Sequence, residues 1–225
     1  MKRAACAALA LMLTAGSAAA ADEAKLTTDN QRFSYAIGLD FGTYLKKLGH
    51  EFDMATVQQA IKDGYTPDAK PLMTQQEAEQ AQKDLFQTML AERKEAAKKF
   101  LEENKAKEGV KATESGLQYK VIKEGKGDKP TVRDTVKVHY KGTLLDGTEF
   151  DSSYNRNEPA RFQVKQVIPG WIEGLQLMTP GSAFELYVPP ELGYGDQGAP
   201  PVIPPGALLK FNVELLEVIK NEEEE

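Results

Sequence analysis

"VKVHYKGTLLDGTEFD", residues 136 to 151, decides the architecture of this 225-residue chain. Val136, Val138 and Tyr140 alternate with Lys137, His139 and Lys141. Period two marks a half-buried strand. Asp146-Gly147 follows, the strongest short hairpin signal, because tight hairpin turns need positive φ. The same alternation returns at Leu117, Tyr119 and Val121, at Phe184, Leu186 and Val188, and at Leu209, Phe211, Val213 and Leu215. Within this half, only the stretch after the Pro169-Gly170 turn looks helical, with Trp171, Ile172, Leu175 and Leu177. The last half therefore reads as an antiparallel sheet with one short helix on its face, an α+β domain.

The front half has a different texture. Phe33, Ile37, Phe41, Tyr44, Leu45 and Leu48 recur at spacings of three and four, which predicts a helix over 29–49. Thr28 or Asp29 can cap its start, and Gly49 suits its end. A second short helix follows, with Asp53 as cap, Met54, Val57 and Ile61 as apolar face, and Gly64 as stop. Helices this short need a surface to lie on, elsewhere in the chain or on a second copy. "TPDAKPLM", residues 66–73, is a turn-rich joint.

Thr74 and Glu77 then form a capping-box signature. No Pro or Gly occurs until Gly109, so the helix is expected to run to about Lys107. Residues 91–108 are mostly charged, with Glu95–Lys99 and Glu103–Lys107 as i,i+4 pairs. That pattern reads as a strut crossing solvent. The alternative is a helix laid on the next domain through Phe100 and Leu101.

The start of the chain is a targeting signal. Lys2 and Arg3 precede an apolar run, Ala4 to Leu13, and a small-residue stretch, Gly16 to Ala21. This is the pattern of a secretory signal peptide, not of a membrane anchor. Its removal takes the only cysteine, Cys6, and two positive charges, moving the formal net charge from -6 to -8. No disulfide or thiol chemistry would remain. The expected divisions are a signal peptide at 1–21, a helical segment at 22–72, a long helix at 73–108, the sheet domain at 109–220 and an acidic tail at 221–225. Export implies the periplasm, with secretion or outer-membrane association as variants, and no stable membrane insertion.

Several chemistries lack support. An acidic chain argues against nucleic-acid binding. His50 and His139 share no metal-ligand spacing, so no metal is expected. No G-x-S-x-G elbow occurs, and "GKGDKP" at 125–130 lacks the Walker spacing. What remains is apolar. Tyr140, Phe150, Phe162, Trp171, Phe184, Tyr187, Tyr194 and Phe211 exceed the needs of one small sheet. Beside them in sequence lies "GYGDQGAPPVIPP", residues 193–205, a restricted loop suited to a pocket rim. From the residues alone, Trp171 can be core or pocket floor.

Three blocks carry a resemblance: "VKVHYKGTLLDGTEFDSSYNRNEPARF", "QVIPGWIEGLQLM" and "PPELGYGDQGAPPVIPPGALLKFNVELLEV". In order and separation, over about 115–220, they resemble the FKBP-type peptidyl-prolyl isomerases. The front half resembles the dimerisation segment of the exported Mip- and FkpA-like bacterial members. The resemblance implies a half-barrel sheet wrapped on one short helix, preceded by an all-α dimerisation segment and a long spacer helix. It implies a proline pocket walled by Tyr140, Phe150, Val167, Ile168, Trp171, Tyr194, Ile203 and Phe211, with Trp171 as its floor. Asp151 stands where the family has a carboxylate facing the pocket, Arg156 where it has that acid's partner. The Ile168 N–H and the Tyr194 hydroxyl match donors to the bound chain.

Expected partners are unfolded or proline-containing polypeptides, a second copy of the chain and macrolide inhibitors of the rapamycin type. No cofactor is implied. Ala160 and Ala199 depart from the bulkier side chains common in the family and imply a wider rim. A dimeric chaperone that grips unfolded chains without catalysis is the competing reading.

Overall fold

The strands form where the alternation puts them. The structure, a computed structural model, describes residues 26–221. The signal peptide expected at 1–21 and all but the first residue of the acidic tail lie outside that range.

Three helices come first. α1, Asp29–Lys47, starts from Thr28, whose Oγ1 accepts from the Gln31 N–H while the Gln31 side chain accepts from the Thr28 N–H. Gly49 sits at φ +67 just beyond its end, where a side chain would be strained. α2, Met54–Tyr65, is capped by Asp53, which accepts from the Thr56 N–H. α3, Gln75–Asn104, opens with the Thr74–Glu77 capping box and ends three residues earlier than the sequence suggests.

The chain divides into two units between Thr43 and Tyr44. The first is most of α1, and it leaves Phe33, Tyr35, Ile37, Leu39 and Phe41 exposed. In the second, α2 likewise keeps Met54, Ile61 and Tyr65 exposed.

The sheet follows: β1 Val110–Ala112, β2 Gln118–Lys123, β3 Thr135–Thr143, β4 Glu149–Ser152, β5 Ala160–Gln163, then α4 Pro169–Leu177, β6 Ala183–Val188 and β7 Leu209–Ile219. The order is β1-β2-β6-β7-β3-β4, with β5 also on β3, and every pairing is antiparallel. The Asp146-Gly147 signal is realised as a turn closed by Leu144 N–H to Thr148 O, with Gly147 at φ +86.

Alternation puts Val136, Val138, Tyr140, Leu186, Phe211, Val213 and Leu215 into one buried cluster with Trp171 and Leu175 of α4. Each such side chain contributes roughly 1.5–3 kcal/mol by leaving water. Two glycines set how closely α4 lies on the sheet. A Cβ on Gly170 would stand 2.6 Å from Val188 Cγ1, and one on Gly174 2.8 Å from Leu186 Cδ1. They are one helical turn apart, so the same stripe of α4 is bare at both contacts.

α3 departs from the strut. Its charged second half lies on the sheet domain, as the alternative reading had it. Phe100 meets Tyr187 of β6 with ring centroids 5.8 Å apart, and Gln118 Nε2 donates to Leu101 O at 2.8 Å. Leu90, Ala97 and Asn104, seven residues apart, are the three buried positions of the helix. Half-buried Met89, Phe100 and Leu101 flank that stripe and widen the seat. Small Ala97 and polar Asn104 hide that stripe from a search for large apolar residues.

Candidate functional site

Six segments converge on one cavity of about 650 Å³. Tyr140 comes from β3, Phe150 and Asp151 from β4, Phe162 from β5 and Phe211 from β7. Val167 and Ile168 precede α4, and Trp171 lies in its first turn. Tyr194, Ala199, Val202 and Ile203 come from the loop between β6 and β7. Pro169 at the start of α4 needs no N–H partner there and presets the turn. That is why the helix begins abruptly, with Trp171 near its end.

Trp171 is 4% exposed and boxed by rings. Tyr140, Phe162 and Phe211 stand edge-on to it, with centroids 5.2, 5.6 and 5.2 Å away at angles of 88°, 85° and 79°. Edge-to-face contact places a positive ring edge against a negative face. Phe150 packs the same way on Phe211, 5.4 Å apart. The indole Nε1–H is buried and meets no acceptor among the described residues. Core and floor are thus one role: the ring fills the domain's centre and also lines the cavity.

At the edge of the cavity the polar groups form a closed set. The Tyr140 hydroxyl donates to Asp151 Oδ2 in a very short contact. Arg156, on a short 3-10 turn at Tyr154–Arg156, donates to Asp151 Oδ1 at 2.6 Å and to the Tyr140 oxygen at 2.9 Å. Burial works against the Asp151 carboxylate. The hydrogen bonds from Tyr140 and Arg156, with the guanidinium charge, outweigh it and hold the carboxyl below its usual range. Burial, reinforced by the bond to Asp151, pushes the Tyr140 phenol up. Bonds to Asp151 and Tyr140 raise the Arg156 guanidinium further. All three groups keep one protonation state around neutrality. The set can orient and polarise, but it is not built to shuttle a proton.

The rim is less enclosed. Tyr194 is 41% exposed. The Ile168 carbonyl accepts from Trp171 N–H and Ile172 N–H. The Ile168 N–H takes no part in the backbone bonds of that turn among the described residues.

Among the residues expected from sequence, Tyr140, Phe150, Asp151, Val167, Ile168, Trp171, Tyr194, Ile203 and Phe211 all line this cavity, and Arg156 reaches it through Asp151. Sequence reasoning did not assign Phe162, Gln166 or Val202 to the site. Ala199 lines the cavity as well, whereas Ala160 pairs with Val138 and is partly buried against the core. Gly142 was also missed. A Cβ there would stand 2.5 Å from Phe150 Cε2 and 3.0 Å from Phe211 Cε1. A glycine inside a strand pattern is the available signal for such a close approach.

Among the described residues no group of His, Cys, Asp or Glu is placed to hold a metal, and no helix is long and apolar enough to cross a membrane. Another hollow, about 490 Å³, lies between α3 and Gly116, Gln118 and Pro189–Glu191. It is lined by lysines and glutamates of α3 and holds no ring cluster.

Comparison with known proteins agrees with this geometry. Residues 126–216 match the FKBP-type peptidyl-prolyl cis-trans isomerase family, and residues 30–121 match the domain amino-terminal to it. The FKBP-type peptidyl-prolyl cis-trans isomerase FkpA of Aeromonas hydrophila is 42% identical over 92% of this chain and 82% of its own. The outer membrane protein MIP of Legionella longbeachae is 41% identical over 90% of this chain and 91% of its own. The crystal structure of FkpA from Escherichia coli superposes with a TM-score of 0.60 at 37% identity, covering 87% of this chain and 99% of that one.

Proposed function

This chain belongs to the FKBP-type peptidyl-prolyl cis-trans isomerases, and from that premise we propose how its own residues do the work. It is an isomerase of X–Pro bonds. The unaided reaction takes tens to hundreds of seconds over a barrier of ~18–20 kcal/mol that comes from amide resonance. No covalent bond is made or broken. Catalysis needs only tighter binding of the twisted amide than of the planar one.

A twisted amide carries less charge on oxygen, so a dry apolar cavity suits it better than water does. The proline ring sits on Trp171 between Tyr140, Phe150 and Phe211. The Ile168 N–H and the Tyr194 hydroxyl hold the flanking backbone. Asp151, fixed by Tyr140 and Arg156, presents a permanent negative charge to the carbonyl carbon as the amide loses resonance. The observation that carries this reading is the ring box around Trp171, open to one cavity with the Asp151–Tyr140–Arg156 set at its edge. The test is cis/trans exchange in an X–Pro peptide. Asp151→Leu should slow it while leaving the fold intact, and a rapamycin-type macrolide should compete. Unchanged turnover in Asp151→Leu would remove that residue from the site.

The front half supports a second activity. Phe33, Ile37, Phe41, Tyr44, Met54 and Ile61 are exposed. Burying each is worth roughly 1.5–3 kcal/mol. A second copy of residues 22–72 is the natural cover, and a homodimer would present two pockets to one unfolded client. Chaperone activity follows from that avidity. The signal-peptide pattern at 1–21 supports export to the periplasm. Light scattering on the full chain tests the dimer, and a monomer at micromolar concentration refutes it.

A further inference from the structure

The loop between β6 and β7 carries Tyr194, Ala199 and the Val202–Ile203 pair to the cavity. Its limbs meet where Gly206 N–H donates to Gly195 O at 3.0 Å, and its tip closes through the Ala199–Ile203 pair at 2.8 and 3.0 Å. Ile203 anchors it in the core, and α3 adds a further support. Leu90 is 8% exposed and lies against Gly206. A Cβ on Gly206 would stand 2.7 Å from Leu90 Cδ1 and 3.6 Å from Lys94 Cγ. One turn further on, Lys94 Nζ lies 2.5 Å from Asp196 Oδ1, two residues after Tyr194. A single turn of α3 thus touches both limbs of the rim loop.

α3 is itself fixed in register. Asn104 is 1% exposed, and its Nδ2 donates to Gln118 Oε1 at 3.0 Å. Gln118 Nε2 in turn donates to Leu101 O at 2.8 Å. Sliding the helix would leave these buried groups unpaired, which costs more than the bonds themselves contribute. In the same turn as the loop contacts, Arg93 Nη2 donates to Leu48 O at 2.5 Å, tying α3 to the chain just beyond α1. A helix pinned at its C-terminal end therefore rests on the rim loop at its middle.

We infer that α3 is a positioning element for substrate recognition, with Leu90 and Lys94 holding the Tyr194–Ile203 loop at the height that completes the proline pocket. The inference rests on the reading of that cavity as the proline site. Neither residue lines the cavity, so both act through the loop. A preformed rim lowers the ordering cost of binding. Loosening it should weaken substrate binding while leaving the floor of Trp171, Tyr140, Phe211 and Asp151 unchanged.

The experiment uses the full chain and an X–Pro tetrapeptide, with kcat and KM resolved separately. Lys94→Asp should raise KM roughly two- to fivefold, the scale of a partly exposed ion pair, with kcat held within about twofold. Adding Asp196→Lys to Lys94→Asp should restore KM, which assigns the effect to this ion pair, and the rise in KM at constant kcat separates positioning from a general loss of structure. Leu90→Ala should raise KM in the same direction, and Lys98→Ala, on the same helix, should not. Unfolding curves that match the parent establish that Lys94→Asp is folded. Parental KM in both Lys94→Asp and Leu90→Ala overturns the inference, as does a fall in kcat without a change in KM. Asp151→Leu run alongside separates the two readings. If it is impaired while the α3 variants behave as parent, only the α3 inference fails. If it turns over normally, the pocket reading fails and takes this inference with it.

Discussion

Trp171 and Phe33 are both large rings near the start of a helix, and the chain treats them in opposite ways. Trp171 is 4% exposed, inside three other rings. Phe33 is 68% exposed. The contrast runs through their surroundings. The sheet domain has a wide face on which α4 lies, so its alternating residues close a core within one chain. Along α1 the apolar residues repeat as regularly, yet Ile37, Leu39 and Tyr44 stay exposed too. Periodicity states that a surface must be covered; only topology states whether the same chain supplies the cover.

The contrast can be broken at its most exposed point. Phe33→Asp with Ile37→Asp should convert the proposed dimer to a monomer by light scattering, while X–Pro exchange in a short peptide stays at the parental rate. Loss of peptide activity in the monomer would mean that the two regions are not separable in this sense. The next effect is on the buried side. Leu186→Ala, at a fully buried position on β6, should cost about 2–5 kcal/mol in urea unfolding of the sheet domain and leave the oligomer unchanged.

A smaller change sharpens the site itself. Asp151→Leu should lower turnover roughly tenfold or more, in line with about 1.5–3 kcal/mol for a hydrogen bond to a charged group. Tyr194→Phe should cost only a few-fold, since a neutral hydrogen bond contributes about 0.5–1.5 kcal/mol. Tyr194→Phe should unfold like the parent, whereas Asp151→Leu should stay folded with a modest loss of stability, because the carboxylate that Tyr140 and Arg156 hold is gone.

The smallest expected effect is none. Asp151 is held below its usual range, so its contribution to stability is present above its unfolded value of about 3.9 and is lost as the pH falls through the lower folded value. Tyr140 is pushed up. Its contribution is present below about 10 and is lost as the pH rises through the higher folded value. Turnover should therefore stay flat between about pH 5 and 9. A bell-shaped profile centred in that window would mean that another titrating group takes part.

Much of this was legible before any coordinates. Alternation located β2, β3, β6 and β7, the Thr74–Glu77 box located the start of α3, and Pro169-Gly170 located α4. That these residues share one cavity was legible only through the resemblance, since nothing in spacing alone brings Tyr140, Asp151 and Arg156 together. Three features stayed hidden for physical reasons. β1 and β5, of three and four residues, are too short to show a period. Gly142 matters for the atoms it lacks. The seat of α3 rests on Ala97, Asn104 and a glycine in another segment, so its hydrophobic signal is faint even though Leu90 is buried.

Trp171 is the only tryptophan in all 225 residues. Indole fluorescence, excited beyond the tyrosine band, therefore reports from one place, the cavity that Trp171 lines. A proline peptide that entered the cavity would change the polarity around that indole directly, so titration of the native chain would yield an affinity without any label. A client held only by the helical front half would leave the emission where it was. One optical signal thus distinguishes occupancy of the pocket from capture elsewhere on the molecule.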